Sequence, residues 1–426
     1  MSILRSFNIG VSGLRAAGSG VSVVGDNIAN AGTNGFKASR AEFQDLMSSS
    51  LSGANASDQI GAGVRVGHIK QLMTQGDLTR TDNVTDLSVN GGGFFTIKTP
   101  FGRGYTRDGS FHFDKNGILV TGDGYEVMGF NTDGDGKIVN QLSPLKVKKG
   151  TIPARATQEV SIDMNLDFRA PVKQFNIEDA ENTSNYSSSM TVYDSVGTPR
   201  LVTMYYNKLE TGNWEYHAVV DGKDAEGGEE GKLVEMASGR LLFNSVGALQ
   251  EEISNSNNFN FPEGAIQNQV IKFNWGDSIA EGGDGSTAST NYGTASTTAR
   301  HTQDGYSAAT LSSLTFNDEG ILSAVFSNGE AIDVGQVAVA KFENNEGLYR
   351  LGKNMFKESK TSGQAALGKP GEGGRGAILS QTIELSNVDI ANEFVNLMTG
   401  QRNFAANAKT LTTADQMLQE ILNIKR

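Results

Sequence analysis

The chain has 426 residues, a net charge of −12, 52 glycines, 7 prolines and no cysteine. This length predicts two or three domains. The acidic balance argues against nucleic acid as a partner, because no excess of basic side chains is available to neutralise phosphates. The lack of cysteine excludes disulfides, thiolate catalysis and cysteine-based metal sites. Frequent glycine without a collagen period indicates many tight turns and short strands.

No segment reaches the roughly 18 consecutive apolar residues of a membrane span, so we expect no membrane insertion. The N-terminus also lacks the apolar core of a cleaved signal peptide, since Ser6, Asn8 and Gly10 interrupt it. A chain of this kind that leaves the cytoplasm must use another route.

The first 30 or so residues predict an amphipathic helix, because apolar side chains recur at spacings of three and four. Five glycines lie between Gly10 and Gly25, and each costs roughly 0.5–1 kcal/mol relative to alanine inside a helix. The isolated helix should therefore be mostly unfolded and needs a partner. The apolar seam consists of Leu4, Phe7, Val11, Leu14, Val21 and Ile28.

The middle of the chain predicts strands. A Ser/Ala/Gly-rich connector is expected over 37–62, with strand patterns and Asp-Gly or Asn-Gly turns over 63–147 that return over 313–383. We interpret these stretches as two halves of one β domain, with a second, outer β domain inserted over 148–312. Inside the insertion, a tract without periodicity from Gly276 to Gly305 predicts a long exposed loop.

The C-terminal end carries the strongest helical pattern, with either Asn387 or Asp389 as its predicted cap. Gln401 and Asp415 interrupt the seam, and they either face solvent or a wet channel, or fix the register of a coiled coil. The apolar seam residues are Ile390, Phe394, Leu397, Phe404, Leu411, Leu418 and Leu422.

Neither terminal seam has a partner nearby in sequence. The two predicted helices are either ordinary core helices of one domain, or they pair so that each covers the apolar seam of the other. Narrow stripes at the extreme termini favour a coiled coil of 1–36 with 384–426. The predicted fold is therefore mainly β with α-helical termini, in which the helix pair carries two nested β domains.

Several stretches of the chain resemble the flagellar rod and hook axial protein family. They include DNIANAGTNGFKASR over 26–40 and the segment over 384–426 that begins ELSNVDIANEF. The long insertion, with TVYDSVGTPRLVTMYY over 191–206, is similar to that of the hook members. The residues that match the terminal motifs are Asn27, Asn30, Gly35, Phe36, Ser386, Asn387, Val388, Asp389, Gln401, Arg402 and Asn407.

The resemblance implies a structural subunit that is exported unfolded by the flagellar type III apparatus, without a cleaved signal peptide. Outside the cell it would polymerise with copies of itself into the hollow helical tube of the hook, a flexible universal joint that transmits motor torque to the filament. The implied partners are the hook cap, the distal rod and the hook–filament junction proteins. A distal rod component with an enlarged middle is the alternative within the family.

No pattern predicts catalysis, a cofactor or a metal. The four histidines, His68, His112, His217 and His301, are scattered without ligand spacing, and no nucleophile elbow is present. A secreted glycan-binding or hydrolytic module on an axial scaffold is a more distant alternative. It would need converging aromatic side chains, and Trp214 and Trp275 are the only tryptophans.

Overall fold

The computed structural model describes residues 2–46, 49–50, 59–133, 137–148, 150–287 and 289–424, without the side chains of 2–4, 49–50, 59–60 and 421–424. The centre of the predicted connector, and the side chains of Leu4 and Leu422, therefore lie outside the described part. The chain divides into two compact units. The first comprises Met1–Lys149, Ser313–Val325 and Ala331–Arg426, and the second comprises Gly150–Ser312 and Phe326–Glu330.

Two long helices form the ends of the chain. The N-terminal helix spans Ser2–Ala29 and the C-terminal helix spans Ile390–Ile424. Asp389 caps the latter, because its Oδ1 accepts hydrogen bonds from the backbone N–H groups of the second and third residues after it, at 2.9 and 3.1 Å. Of the two predicted caps, the structure thus selects Asp389. Both helices belong to the first unit and pack side by side.

The strands of the first unit come from both sides of the insertion. Glu126–Thr132 pairs antiparallel with Phe94–Thr99 and with the returning strand Ala331–Val337. Strands confined to this unit are Ser39–Asp45, Ser49–Ser50, Gln59–Ile60, Val64–Gln71, Leu78–Arg80, Leu87–Asn90, Phe94–Thr99, Gly102–Thr106, Phe111–Phe113, Leu119–Thr121, Glu126–Thr132, Ile138–Pro144, Ala331–Val337, Val339–Lys341, Tyr349–Gly352, Met355–Lys357, Ala366–Gly368, Ala377–Ser380 and Thr382–Glu384. The chain therefore returns to this sheet after the insertion.

Edge-to-face aromatic rings join the two halves of this unit. Phe342, from the returning half, lies 5.9 Å from Phe94 and 4.8 Å from Tyr105 between ring centroids. Outside this core, Ser39–Asp45 pairs antiparallel with Val64–Gln71, and the register of the pairing shifts between Glu42 and Phe43. The predicted connector thus begins with a paired strand.

The second unit is almost entirely antiparallel. Its six-stranded sheet runs in chain order from Tyr186–Tyr193 to Gln269–Val270, and a three-stranded sheet is centred on Glu159–Asn165. A short helix covers Ala180–Thr183. The strands are Thr151–Ile152, Glu159–Asn165, Tyr186–Tyr193, Pro199–Glu210, Asn213–Asp221, Leu233–Phe243, Leu249–Phe259, Gln269–Val270, Lys272–Asn274 and Thr297–Gln303, and Ala309–Phe316 and Ile321–Phe326 have residues in both units.

The expected exposed loop between Gly276 and Gly305 is wrong for its second half. Thr297–Gln303 is a strand that pairs with Glu159–Asn165. Ser289 and Asn291 are buried, and their side chains donate hydrogen bonds to the carbonyls of the same sheet, at 3.0 and 2.8 Å. Hydrogen bonding rather than apolar burial holds this tract, which explains why it has no hydrophobic period.

The core of the second unit holds both tryptophans. Trp214 and Trp275 are 0% and 1% exposed, and Trp275 lies 5.0 Å from the ring of Tyr216. Neither indole is available on a surface, so neither supports a glycan-binding groove.

No helix in the described ranges combines the length and the apolar character that a membrane span requires. The predicted fold class, mainly β with paired helical termini, is confirmed.

Candidate assembly surface

Glycines form the closest contacts between the two terminal helices. A Cβ atom at Gly13 would lie 2.6 Å from Oδ1 of Asn407, and one at Gly400 would lie 2.8 Å from Cγ2 of Val21. At Gly18 and Gly25 a Cβ would meet nothing within 4 Å. Gly13 and Gly400 therefore have a packing reason, because they let the helices approach closely, whereas Gly18 and Gly25 only weaken the helix.

The predicted seam of the N-terminal helix is partly buried. All five described members, from Phe7 to Ile28, are intermediate in exposure. Gly10 and Gly13, each one position away from a predicted seam residue, are more completely buried, and so is Ala16, two positions after Leu14.

On the C-terminal helix, Leu397, Leu411 and Leu418 are also partly covered. Between them, Gly400 and Asn407 contact the N-terminal helix, although both sit one position away from the predicted seam. Ile390, Phe394 and Phe404 remain about half exposed, at 50%, 49% and 47%. Gln401, Arg402 and Asp415 are exposed. The closest contacts of the helix pair thus involve Gly400 and Asn407, beside the predicted seam, while three predicted leucines are partly covered.

The two terminal motifs meet where the helices join the first sheet. The Asn27 side chain donates to the carbonyl of Ser39 at 2.7 Å and accepts from its N–H at 2.8 Å. The Asn387 side chain accepts from the N–H of Ala38 at 2.7 Å and donates to the carbonyl of Leu72 at 2.8 Å. Each amide side chain replaces a missing backbone partner, which explains why asparagine is needed at both positions.

A sharp turn follows the N-terminal helix. The Asn30 side chain donates to the carbonyl of Asp26 at 2.8 Å. Gly35 has a φ of 65° and would place a Cβ 2.6 Å from the carbonyl carbon of Arg107, so no other residue fits there without strain. Phe36 is buried, and the guanidinium of Arg350 lies 4.9 Å from its ring centroid.

At the start of the C-terminal helix, the Ser386 hydroxyl accepts a hydrogen bond from the N–H of Val388 at 3.4 Å. Val388 itself is partly buried. Together with the Asp389 cap, this turn sets the direction in which the helix leaves the sheet.

Three charged side chains are buried together at this junction. Glu384, the first residue of the C-terminal motif, accepts from the Lys37 ammonium through Oε1 and from the Arg107 guanidinium through Oε2, the latter at 3.0 Å. The Lys37 ammonium also donates to the carbonyl of Thr74 at 2.6 Å, and the N–H of Gly76 donates to Oε1 of Glu384 at 3.0 Å. We call Lys37, Arg107 and Glu384 the junction triad.

The junction triad joins three parts of the chain: the end of the N-terminal motif, the first sheet and the start of the C-terminal motif. Burial lowers the pKa of Lys37 and of Arg107, and the attraction of Glu384 opposes that effect in both. One carboxylate faces two cations, so removal of that carboxylate would leave two buried charges uncompensated. The triad therefore positions the helix pair on the sheet.

The sequence pattern did not reveal the triad. Lys37 and Glu384 lie inside the two terminal motifs and Arg107 opens a turn, but no pattern within any one of these segments pairs the three charges. The sequence shows only isolated charged residues beside apolar strands. The folded chain is needed to show which three of these charged side chains pair. Among the described residues, no group of histidine and carboxylate side chains could hold a metal ion.

A helix pair built from both chain ends, with half-exposed apolar side chains and β units inserted between the ends, is typical of a structural subunit that assembles with other chains. Family models match four stretches that run along the chain. Their descriptions are "Flagella basal body rod protein" over 7–37, "Flagellar hook protein FlgE/F/G D1 domain" over 88–165, "Flagellar basal body protein FlaE D2 domain" over 165–306 and "Flagellar basal body rod FlgEFG protein C-terminal" over 379–424.

Full-length relatives identify the family. The flagellar hook protein FlgE of Borreliella burgdorferi is 32% identical over 461 residues, covering 99% of this chain and 100% of the relative. That of Salmonella typhimurium is 31% identical over 427 residues, with the same coverage. The chain belongs to the flagellar hook protein FlgE family and is a structural subunit of the hook. These relatives do not favour the distal rod or glycan-binding alternatives.

A solved structure agrees in fold. The crystal structure of the Helicobacter pylori flagellar hook protein FlgE2 has a TM-score of 0.51 with this chain at 16% identity. The match covers 70% of this chain and 98% of that one. At this identity, the similarity supports the fold alone.

Proposed function

We propose that the chain polymerises through its terminal helices into a hollow tube that bends as a universal joint while transmitting torque. The observation that most directly supports polymerisation is the uncovered apolar face of the C-terminal helix. An exposed face of this kind marks an interface, because a monomer gains nothing by leaving it in water. The side chains that are about half exposed are Ile390, Phe394, Val395, Met398, Phe404 and Met417.

The N-terminal helix orders on assembly in this proposal. Its glycines weaken it in isolation, and only one flank of it is closed by the C-terminal helix. A subunit with a weak N-terminal helix stays dispersed and can be exported unfolded through the type III apparatus, without a cleaved signal peptide. Its final location is the extracellular hook.

The assembly contacts include more than copies of the same chain. The ends of a tube must meet other proteins, and the partners that the family resemblance implies are the hook cap, the distal rod and the hook–filament junction proteins. Three functional domains serve this role: the helix pair of 1–36 with 384–426, the first β domain of 63–147 with 313–383, and the outer domain of 148–312. We assign no catalytic activity, cofactor or nucleic acid to any of them.

Electron microscopy of cells that lack the chain tests this function. The expected result is a retained rod with no hook, and an intact hook would overturn the proposal. Purified subunits provide a second test, since curved or supercoiled tubes agree with a bending joint and straight, rigid tubes would contradict it.

A further inference from the structure

One flank of the C-terminal helix carries a continuous ridge that nothing in the described chain covers. Ile390, Phe394 and Met398 follow one another at spacings of four and are each about half exposed. Arg402 continues the same row, is exposed, and makes no hydrogen bond or ion pair within the described ranges. Residues four apart form the ridges with which helices pack into grooves. We call these four residues the outer ridge.

The other flank of the helix lines a groove. A cavity of about 380 Å³ lies between the C-terminal helix, the N-terminal helix and the strand Ser39–Asp45. Its apolar wall includes Val21, Val24 and Phe43, and the Phe43 ring is half exposed. Glu393 also lines the groove, and its Oε2 is buried without a hydrogen-bond partner.

The outer ridge and the groove match in chemistry. The ridge offers an apolar row that ends in an unpaired cation, and the groove offers an apolar wall beside a carboxylate with an unsatisfied oxygen. An unpaired buried carboxylate oxygen is costly, and a guanidinium is the group that satisfies it best. This complementarity favours a second copy of the chain as the occupant.

The two surfaces cannot meet within one chain. Successive residues turn by about 100° around a helix, so Glu393 and Met398 face different sides of the same rigid element. We propose that the groove receives the outer ridge of a second copy, with Arg402 of one copy paired to Glu393 of the next. The contact joins unlike surfaces, so it does not close into a two-fold dimer, and it builds an open helical array where its rotation does not close into a ring. It rests on the proposed self-assembly and specifies which surfaces carry it.

Cysteine cross-linking tests the contact directly, since the natural chain has no cysteine. Val24→Cys lies in the groove and Met398→Cys on the ridge. Polymers of the full-length chain with both changes should yield a ladder of disulfide-linked oligomers after oxidation, whereas each single variant should not form the ladder. A control pair combines Met398→Cys with Lys115→Cys, an exposed position in the turn between the strands Phe111–Phe113 and Leu119–Thr121. Polymers that form normally but give no ladder from the test pair would overturn the proposal while leaving self-assembly intact.

Charge reversal gives an independent test. Arg402→Glu should raise the concentration needed for polymerisation about tenfold, because it places two carboxylates together. Glu393→Lys combined with Arg402→Glu should restore most of the loss, a rescue that damage to one fold could not produce. Wild-type polymerisation by the Arg402→Glu chain would contradict the pairing, and failure of the unmodified chain to polymerise would contradict the proposed function itself.

Discussion

The terminal helix pair and the second unit bury their large side chains to very different degrees. In the second unit both tryptophans are buried, and the polar tract around Asn291 is tied to the sheet. In the helix pair, Phe394 and Phe404 are half exposed and glycines make the closest contacts. The second unit therefore completes its core within one chain. The helix pair leaves apolar surface uncovered, as expected of an element that is finished by assembly.

Truncation after Leu411 should produce the largest effect on this contrast. Removing residues 412–426 deletes the buried Ala414 and the partly covered Leu418, so we expect polymerisation to be abolished. Tryptophan fluorescence should show an unchanged unfolding transition, because both tryptophans lie in the second unit. Electron microscopy and denaturant titration measure the two outcomes. Glu420→Ala, which keeps the helix, is the control. Tubes formed by the truncated chain would contradict the assignment.

The junction triad gives the next largest effect. Glu384→Gln keeps the shape of the side chain but leaves Lys37 and Arg107 buried without a countercharge. We expect the unfolding free energy of the first unit to fall by about 3–5 kcal/mol. Hydrogen exchange of first-unit peptides measures this loss, and the tryptophan transition of the second unit should not move.

The matched control is Glu346→Gln, which removes an exposed partner of Lys70 at 2.8 Å. A surface ion pair of this kind contributes about 0–1 kcal/mol. Equal losses from the two variants would show that the junction triad does not hold the helices on the sheet.

Much of this architecture could be predicted from the sequence. Apolar residues that recur at spacings of three and four predicted both helices, and Asp-Gly and Asn-Gly turns predicted the strands of the first unit. The exact phase of the helix contact could not be predicted, because hydrophobic periodicity does not count a glycine as a contact residue. Gly400 nevertheless touches Val21, while Gln401 beside it is exposed.

Polar burial was the second limit of prediction. Asn291 and Glu384 are buried through partners that are more than 100 residues away in the chain. A pattern within one segment contains no information about such partners. For the same reason, removal of 276–305 should disrupt the fold of the outer domain, because that segment includes the strand Thr297–Gln303.

Alkaline pH should lower the stability of the first unit relative to the second by a smaller amount. Burial raises the pKa of Tyr105 to about 12, and the nearby Glu358 carboxylate adds to the shift. An unfolded tyrosine loses its proton near pH 10, so the folded state binds more protons between about pH 10 and 12. Stability of the first unit should therefore fall by up to about 2 kcal/mol across that interval.

Tyr105→Phe should remove most of this alkaline loss in the first unit, since the ring still packs on Phe342. Urea titrations at pH 9 and pH 11.5, followed by hydrogen exchange of first-unit peptides, measure the difference. Tyr349→Phe, at an exposed position, should leave the pH dependence as it is. An unchanged alkaline loss in Tyr105→Phe would assign the effect to another group.

Single glycines in the N-terminal helix provide the finest test. Gly13→Ala adds a methyl group 2.6 Å from the Asn407 amide. That amide must move and give up its hydrogen bond to the carbonyl of Asn403, so we expect a loss of about 1 kcal/mol in helix pairing. Gly25→Ala faces open space and should instead stabilise the helix by roughly 0.5–1 kcal/mol. Circular dichroism at 222 nm and the polymerisation threshold measure both. The two substitutions should change the stability of the helix pair in opposite directions, because only one of the two glycines lies in the helix contact. Changes in the same direction would mean that both glycines act through helix propensity alone.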